Sequence, residues 1–445
     1  MRRSPHSSVK EARGLLVFAP EAPAFDRNAG ALRFYTMLEM LSRLFPITFI
    51  ATHVSLREIA PGSDPYGDAL RSLGINVYLG DIPFRRLLRS GTWVAALFEF
   101  YRSALSRYFD AIRIFAPRLP VIIDSVDLHY VRELRMIEYE PHLKTLCEAM
   151  ETKASELGTY RRADMVITVT EHDKEILLRE LPDLNVAVVP NIHKALPNPP
   201  GTHRRARFAL LFVGGFTHRP NVDAVVFFCR EILPLIRLEL PQVSVTIVGA
   251  QPPPEVIALA SASKVTVTGY VKDLSPYLSS ASVSIAPLRY GSGMKGKITE
   301  AMAAGLPVVT TSIGAEGLDL QHRSNALIAD TPRDFARAVI ELCCNDELHR
   351  TLSENGHDHF KRRFDISIIE PSLAKIISSL QHVKPKGLSF EDRVKFYPED
   401  SWTESATRCL RTNFFLGRRK PMKPLVSVVV TTYNQAAFVR KALTV

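Results

Sequence analysis

Pro287-Leu288-Arg289-Tyr290-Gly291-Ser292-Gly293-Met294-Lys295-Gly296-Lys297-Ile298-Thr299-Glu300-Ala301-Met302-Ala303-Ala304-Gly305-Leu306-Pro307-Val308-Val309 is the stretch that decides the fold. An apolar run at 283–286 precedes it, and residues 295–305 read as a helix with another short apolar run behind, at 308–310. A strand that opens through a Gly-rich loop into a helix is one βα unit of a parallel sheet. Glycines let backbone N–H groups approach an anion, and a helix N-terminus adds roughly half a positive charge. Arg289, Lys295 and Lys297 supply full charges, and Glu300, one turn into the helix, can accept two hydroxyl hydrogen bonds. A diphosphate joined to a sugar is the ligand that needs this combination. The plainer reading is a surface loop with solvated lysines on an amphipathic helix. Gly291, Gly293 and Gly296 also spell G-x-G-x-x-G, with Glu316 about twenty residues on. That dinucleotide pattern belongs to the first βα turn of a sheet, whereas this is the fourth unit of its own.

Outward from this stretch, β-branched runs alternate with helix-length segments. Strands are expected at 15–18, 47–51, 121–123, 165–169 and 186–189, with a helix at 31–44. The pattern pauses at 190–207, a Pro-rich basic linker. It restarts with strands at 208–213, 243–248, 265–268, 283–286 and 308–310, and three helices follow to about residue 380. Short continuous apolar runs separated by helices argue for parallel sheets covered on both faces. The expected class is therefore α/β, with two doubly wound units, 1–195 and 196–380, facing a cleft at the carboxyl ends of their strands. Residues 381–424 read as a basic tether, and 425–445 as a strand, a turn and the start of a helix. A lone strand and helix cannot bury their own apolar faces, so this last piece reads as the cut-off opening of a third domain.

Composition bounds the reading. At 445 residues the chain is long enough for two or three domains. Apolar residues at 46% and charged residues at 23% exclude a disordered or collagenous chain. Lys and Arg number 56 against 46 Asp and Glu, a formal charge of +10, which suits an acidic small substrate or an anionic membrane surface as well as nucleic acid. No module that reads nucleic acid is recognisable. No apolar run approaches the ~18 residues of a membrane-spanning helix, and residues 1–13 lack the apolar stretch of a secretory signal. The five cysteines include the adjacent Cys343 and Cys344 and have no metal spacing, which points to reduced residues of a cytoplasmic protein.

The second half resembles the C-terminal domain of the GT-B glycosyltransferases of the retaining family 4 group. The matches are Phe212-Val213-Gly214-Gly215 with Pro220-Asn221-Val222-Asp223-Ala224, then Val248-Gly249, then Gly269-Tyr270-Val271-Lys272-Asp273. Pro287-Leu288-Arg289 through Gly305 and Gly314-Ala315-Glu316-Gly317-Leu318 complete them. The first half is similar more loosely, at Asp26-Arg27-Asn28-Ala29-Gly30 with Arg33, Asp124 to His129 with Arg132, Ala163-Asp164 to Glu171, and Val189-Pro190-Asn191. The resemblance implies a metal-independent, hexosyltransferase-type enzyme. It would move a sugar with retention from a nucleoside diphosphate sugar to a hydroxyl of a glycan or lipid-linked saccharide, as in polysaccharide synthesis. It also makes Glu300 the ribose-holding second glutamate of an E-x7-E motif whose first position is Ser292 here.

The family's diphosphate-neutralising Arg and Lys align near Gly215 and Arg219, and only the latter is basic. Arg289, Lys295 and Lys297 are therefore expected to make up the charge. His129, after the strand at 121–123, is expected at the sugar-binding side of the cleft, or simply hydrogen-bonded to its neighbours in a loop. Asn28 and Gly30 are expected beside the diphosphate, or as a plain helix cap, and Tyr270 where the base sits. Gly291 and Gly293 are expected to line the phosphate loop, and no metal ligands are expected. Two other readings share these residues: a nucleotide-sugar epimerase, which needs no acceptor, and a non-catalytic sugar-nucleotide binding fragment.

Residues 81–120 interleave seven arginines with aromatic and leucine residues, among them Phe84, Leu87, Leu88, Trp93, Tyr101 and Tyr108, around three acids. They read either as a face lying on anionic lipid at the inner side of a membrane or as core helices with a wet arginine side. Residues 425–445 resemble the first strand and turn of a family 2, GT-A glycosyltransferase.

Overall fold

The computed structural model describes residues 13–52, 64–79, 82–193 and 205–380, together with 383, 385 and 386. The piece at 425–445 and nearly all of the tether lie outside the described residues. The described chain falls within one unit, Met1–Leu388.

It builds two all-parallel sheets. The first holds β1 (Gly14–Ala19), β2 (Ile47–Ala51), β3 (Asn76–Leu79), β4 (Trp93–Glu99), β5 (Val121–Asp124), β6 (Met165–Thr168) and β7 (Val186–Val188), in spatial order 3-2-1-4-5-6-7. The second holds β8 (Ala209–Val213), β9 (Ser244–Val248), β10 (Val265–Gly269), β11 (Val283–Ala286), β12 (Val308–Thr310) and β13 (Leu327–Ile328), in order 10-9-8-11-12-13. Both orders are doubly wound, and each reverses beside its first strand: at β1 and β4, and at β8 and β11. Ligands bind at such reversal points, outside the carboxyl ends of the strands.

Two-sided burial explains the continuous apolar runs. In β1, Leu15, Val17 and Ala19 enter one apolar cluster, while Leu16 and Phe18 enter the cluster on the opposite face. In β8, Leu210 and Phe212 face one cluster and Leu211 the other. The period-2 geometry of a strand thus feeds two cores at once.

The Ile366–Ser379 helix carries the chain back to the first sheet. Its Ile369, Leu373 and Ile377, with Leu380, pack among Leu15, Val17 and Phe34. Arg33 pins the same region from inside. Its guanidinium grips Asp124 at 2.6 and 3.0 Å, and it also donates to the carbonyls of Val189 and Pro190, with both side chains wholly buried. The first helix, Ala29–Ser42, is thereby tied to β5 and to the point where the chain leaves the first sheet. Truncating one member of such a pair strands the other in a dry interior.

Candidate functional site

The two reversal points face each other across a cleft of about 470 Å³. From the first sheet it receives the β1 turn, where Asn28 caps the Ala29–Ser42 helix by accepting the Ala31 N–H at 2.8 Å. Gly30 follows it in the cleft wall. The β5 turn adds Asp127, His129 and Arg132, passing through a φ of 58° at Val126. A β-branched residue rarely adopts that conformation, and strain of this kind accumulates at functional sites. His129 begins the His129–Tyr139 helix, edge-on to Phe100 and Tyr101, with Nδ1 3.3 Å from Asp127 Oδ1. The buried carboxylate of Glu156 accepts the N–H groups of His129 and Tyr130 and stabilises that helix start.

From the second sheet come Gly215 and Asn221, behind β8, and the loop Gly291-Ser292-Gly293-Met294-Lys295, behind β11. The Gly296–Ala303 helix then presents Lys297 and Glu300 in its first turns. Lys297 Nζ donates to Asn221 Oδ1 at 2.6 Å and lies 5.2 Å from the centre of the Phe212 ring. Lys295 Nζ donates to the Gly293 carbonyl at 2.9 Å and stands 3.7 Å from Glu316. Burial, reinforced by the neighbouring Lys295, pushes the Lys297 ammonium down to about 7. Burial also lowers Lys295, against the pull of Glu316 and Asp173. Burial raises the Glu300 carboxyl to about 7. Lys297, with an amide oxygen as its acceptor, thus stands beside a helix N-terminus, where a bound anion would favour its charged form.

Three expected site residues are placed elsewhere. Arg289 points out of the cleft wall, hydrogen-bonded to Asp223 at 3.0 Å with its guanidinium between the rings of Tyr139 and Phe227. That carboxylate and two aromatic faces satisfy it more completely than the loop could. Arg219 reaches across to Glu140 at 2.8 Å and also holds Glu255 at 2.6 Å. Tyr270 is half exposed at the rim, where its hydroxyl donates to Asp26 at 2.6 Å. Positive charge in the cleft wall thus falls to Arg27, Arg132, Lys295 and Lys297, and Arg132 is paired with Asp127.

The glycines of the loop serve a purpose the pattern G-x-G-x-x-G does not disclose. A Cβ on Gly296 would stand 2.5 Å from the Ala29 Cβ, and one on Gly293 would stand 2.8 Å from the Asp127 Cβ. Gly293 also has a φ of 66°. Both positions are glycine because the loop seats directly against the first sheet's turns. Polar contacts secure the seat. Arg135 binds Glu316 twice and the Gly291 carbonyl at 2.7 Å; Ser292 Oγ donates to Asp127 Oδ2 at 3.1 Å; Asn191 Nδ2 donates to the Met294 carbonyl at 3.2 Å. Asp127, Arg132, Asn191 and Asn221 sit in the wall although sequence reasoning assigned them no role. Each lay within a quoted match, which was the available signal. Among the described residues no cluster of side chains has the composition of a metal site.

The profile of the family described as Glycosyl transferases group 1 matches residues 207–345, the second sheet and its loop. A glycosyltransferase of Methanocaldococcus jannaschii is 24% identical over 239 residues, 50% of this chain and 64% of that protein. A 44.6 kDa protein in the cps region of Klebsiella pneumoniae is 24% identical over 174 residues, 37% of this chain and 45% of that one. The chain thus spans about half to two thirds of the length of these relatives. Among solved structures, sucrose-phosphate synthase of Thermosynechococcus elongatus superposes with a TM-score of 0.63 at 15% identity, covering 83% of this chain and all of that one. Anabaena Alr3699/HepE, in complex with UDP and glucose, gives 0.60 at 14% identity, covering 82% and 99%. With two facing doubly wound sheets and these neighbours, the chain has the GT-B fold.

Proposed function

We propose that the cleft binds a nucleoside diphosphate sugar and transfers its sugar, a hexose, to a hydroxyl of a glycan or lipid-linked saccharide with retention of configuration. The observation that carries this reading is the convergence of Lys295, Lys297, a helix N-terminus and Glu300 on one wall of a cleft that the other domain closes. The match to glycosyl transferases group 1 over the same residues supports it. The UDP and glucose held by the Anabaena neighbour support the donor class.

Breaking the bond between sugar and diphosphate develops negative charge on the leaving group. The lysines and the N–H groups of the Gly296–Ala303 helix are fixed donors aimed at that charge, so they stabilise the transition state more than the ground state. Glu300 accepts the ribose hydroxyls and fixes the nucleotide. His129 and Asp127 line the opposite wall, where the sugar and the acceptor hydroxyl meet. With the acceptor entering from the face the diphosphate leaves, no protein nucleophile is required. The lysines take the place of a divalent cation, so transfer is expected to proceed in EDTA. Proton NMR of the product anomer tests the reading directly. A product with the donor's anomeric configuration, formed only when acceptor is present, supports it. An inverted product removes the retaining assignment, and an epimerised donor with no acceptor present removes transfer itself.

The two groups near 7 set a pH dependence. Above about 7 the free protein's Lys297 is neutral and must take up a proton to hold the diphosphate, so donor affinity falls as pH rises. Below about 7 Glu300 is protonated and loses acceptor strength toward the ribose, so affinity falls again. The expected kcat/KM profile is a bell with both limbs between about 6 and 8. In Lys297→Ala the alkaline limb disappears while the acid limb stays. A flat profile across this range contradicts the assignment of both groups.

A further inference from the structure

Among the described residues between 82 and 118, every exposed charged side chain is an arginine: Arg85, Arg86, Arg89, Arg102, Arg107 and Arg118. The acids of the segment are withdrawn. Glu99 is buried at the end of β4, and Asp110 is buried with Arg162 as its partner. Arg113, which the sequence counts with the basic face, leaves it for a buried pair with Asp164 at 2.9 Å. No acidic side chain among the described residues pairs with Arg85, Arg86 or Arg89. Large apolar side chains stand open in the same segment: Leu105 is 54% exposed, Ile114 41% and Phe115 39%.

Arg85, Arg107 and Phe115 share one surface. The Phe84–Ser90 helix packs on the Arg107–Phe115 helix, and between them runs a groove of about 440 Å³ walled by Phe84, Arg85, Arg107, Tyr108 and Phe115. The Arg85 guanidinium lies 4.1 Å from the centre of the Phe115 ring. A guanidinium stacked on an aromatic face presents its N–H edge to an oxyanion while its flat side stays dry. The short Phe100–Ala104 helix, which carries Arg102, begins at a residue of the cleft wall, so the basic face adjoins the site on the first domain.

We propose that this face docks on a bilayer containing anionic phospholipid. Arg85, Arg86 and Arg89 meet the headgroup phosphates, while Leu105 and Phe115 enter the interfacial layer. The charge complementarity is one-signed, and the exposed aliphatic and aromatic side chains beside it fit an interface that is wet on one side and apolar on the other. A nucleic acid offers phosphates but no apolar layer for Leu105 and Ile114. The proposal goes beyond the transfer reaction and stands or falls independently of it.

The test is co-sedimentation of the full chain with vesicles of phosphatidylcholine alone, and with vesicles in which one lipid in three is phosphatidylglycerol. Binding is expected to the anionic vesicles only and to vanish at high salt, since exposed charges are then screened. Each arginine near such a surface is worth about a factor of five, so the triple variant Arg85→Gln, Arg86→Gln, Arg89→Gln should partition about a hundredfold more weakly. Its melting temperature and its affinity for UDP should match the parent's, which separates this proposal from the reading of the cleft. Equal binding to both vesicle types, parental partitioning by the triple variant, or no sedimentation at all overturns the proposal. So does a single-stranded oligonucleotide that binds the face more tightly than anionic vesicles at equal phosphate concentration.

Discussion

Lys297→Ala is expected to lower the rate of sugar transfer by 10²–10³, the usual cost of removing one fixed donor from a developing anion. Lys297 is the cation the fold leaves most committed to a ligand. Among the described residues its hydrogen-bond acceptor is the neutral amide of Asn221, and burial already presses its ammonium toward deprotonation. The strain of holding that charge is borne by the folded state, so its removal should leave the melting temperature unchanged or raise it. Glu300→Ala is expected to act on the other half of the donor, raising KM for the nucleotide sugar at least tenfold. Glu300→Gln should recover part of that loss, because an amide oxygen still accepts one hydroxyl. Steady-state kinetics with thermal melts of the same preparations check all three. Activity of Lys297→Ala and Glu300→Ala within twofold of the parent would remove both residues from the site.

Gly296→Ala should be nearly as damaging, for a steric reason. Alanine is the better helix former by about 1 kcal/mol, so the substitution favours the Gly296–Ala303 helix taken alone. Its Cβ nevertheless lands 2.5 Å from the Cβ of Ala29, on the cap turn of the first domain. The loop cannot then seat, and the reacting groups separate by a fraction of an ångström to an ångström, a displacement that costs about 10² in rate. Nucleotide binding, which depends on the second domain, should stay within several-fold of the parent. Ala29→Gly removes the opposing Cβ, so the double variant Ala29→Gly, Gly296→Ala should regain most of the activity. A double variant no better than Gly296→Ala shows that the glycine is needed for something other than this contact.

These expectations rest on features the sequence discloses unevenly. The turn between β11 and the Gly296–Ala303 helix is readable because its signal is local: an apolar run, glycines, cations and a carboxylate one turn on. The two parallel sheets are readable for the same reason, since strands buried on both faces must be apolar throughout. What a side chain meets across the fold leaves no such trace. Nothing near Arg289 in the chain announces that Asp223, Tyr139 and Phe227 would hold it away from the cleft. Arg219 likewise satisfies itself on Glu140, a residue of the other domain. Asp127 enters the wall because the β5 turn swings it against Ser292, a contact 165 residues apart in sequence. The return of the Ile366–Ser379 helix to the first sheet is equally silent, because its apolar stripe would fit either core.

The claim at the centre is that the loop behind β11 clamps a diphosphate while Glu300 holds the attached ribose. A crystal structure of the protein soaked with UDP tests it most directly. The account predicts diphosphate oxygens about 3 Å from Lys297 Nζ and from backbone nitrogens at the start of the Gly296–Ala303 helix, with both ribose hydroxyls on Glu300. UDP seated away from that loop, or its phosphates turned to solvent with Lys297 still on Asn221, contradicts it.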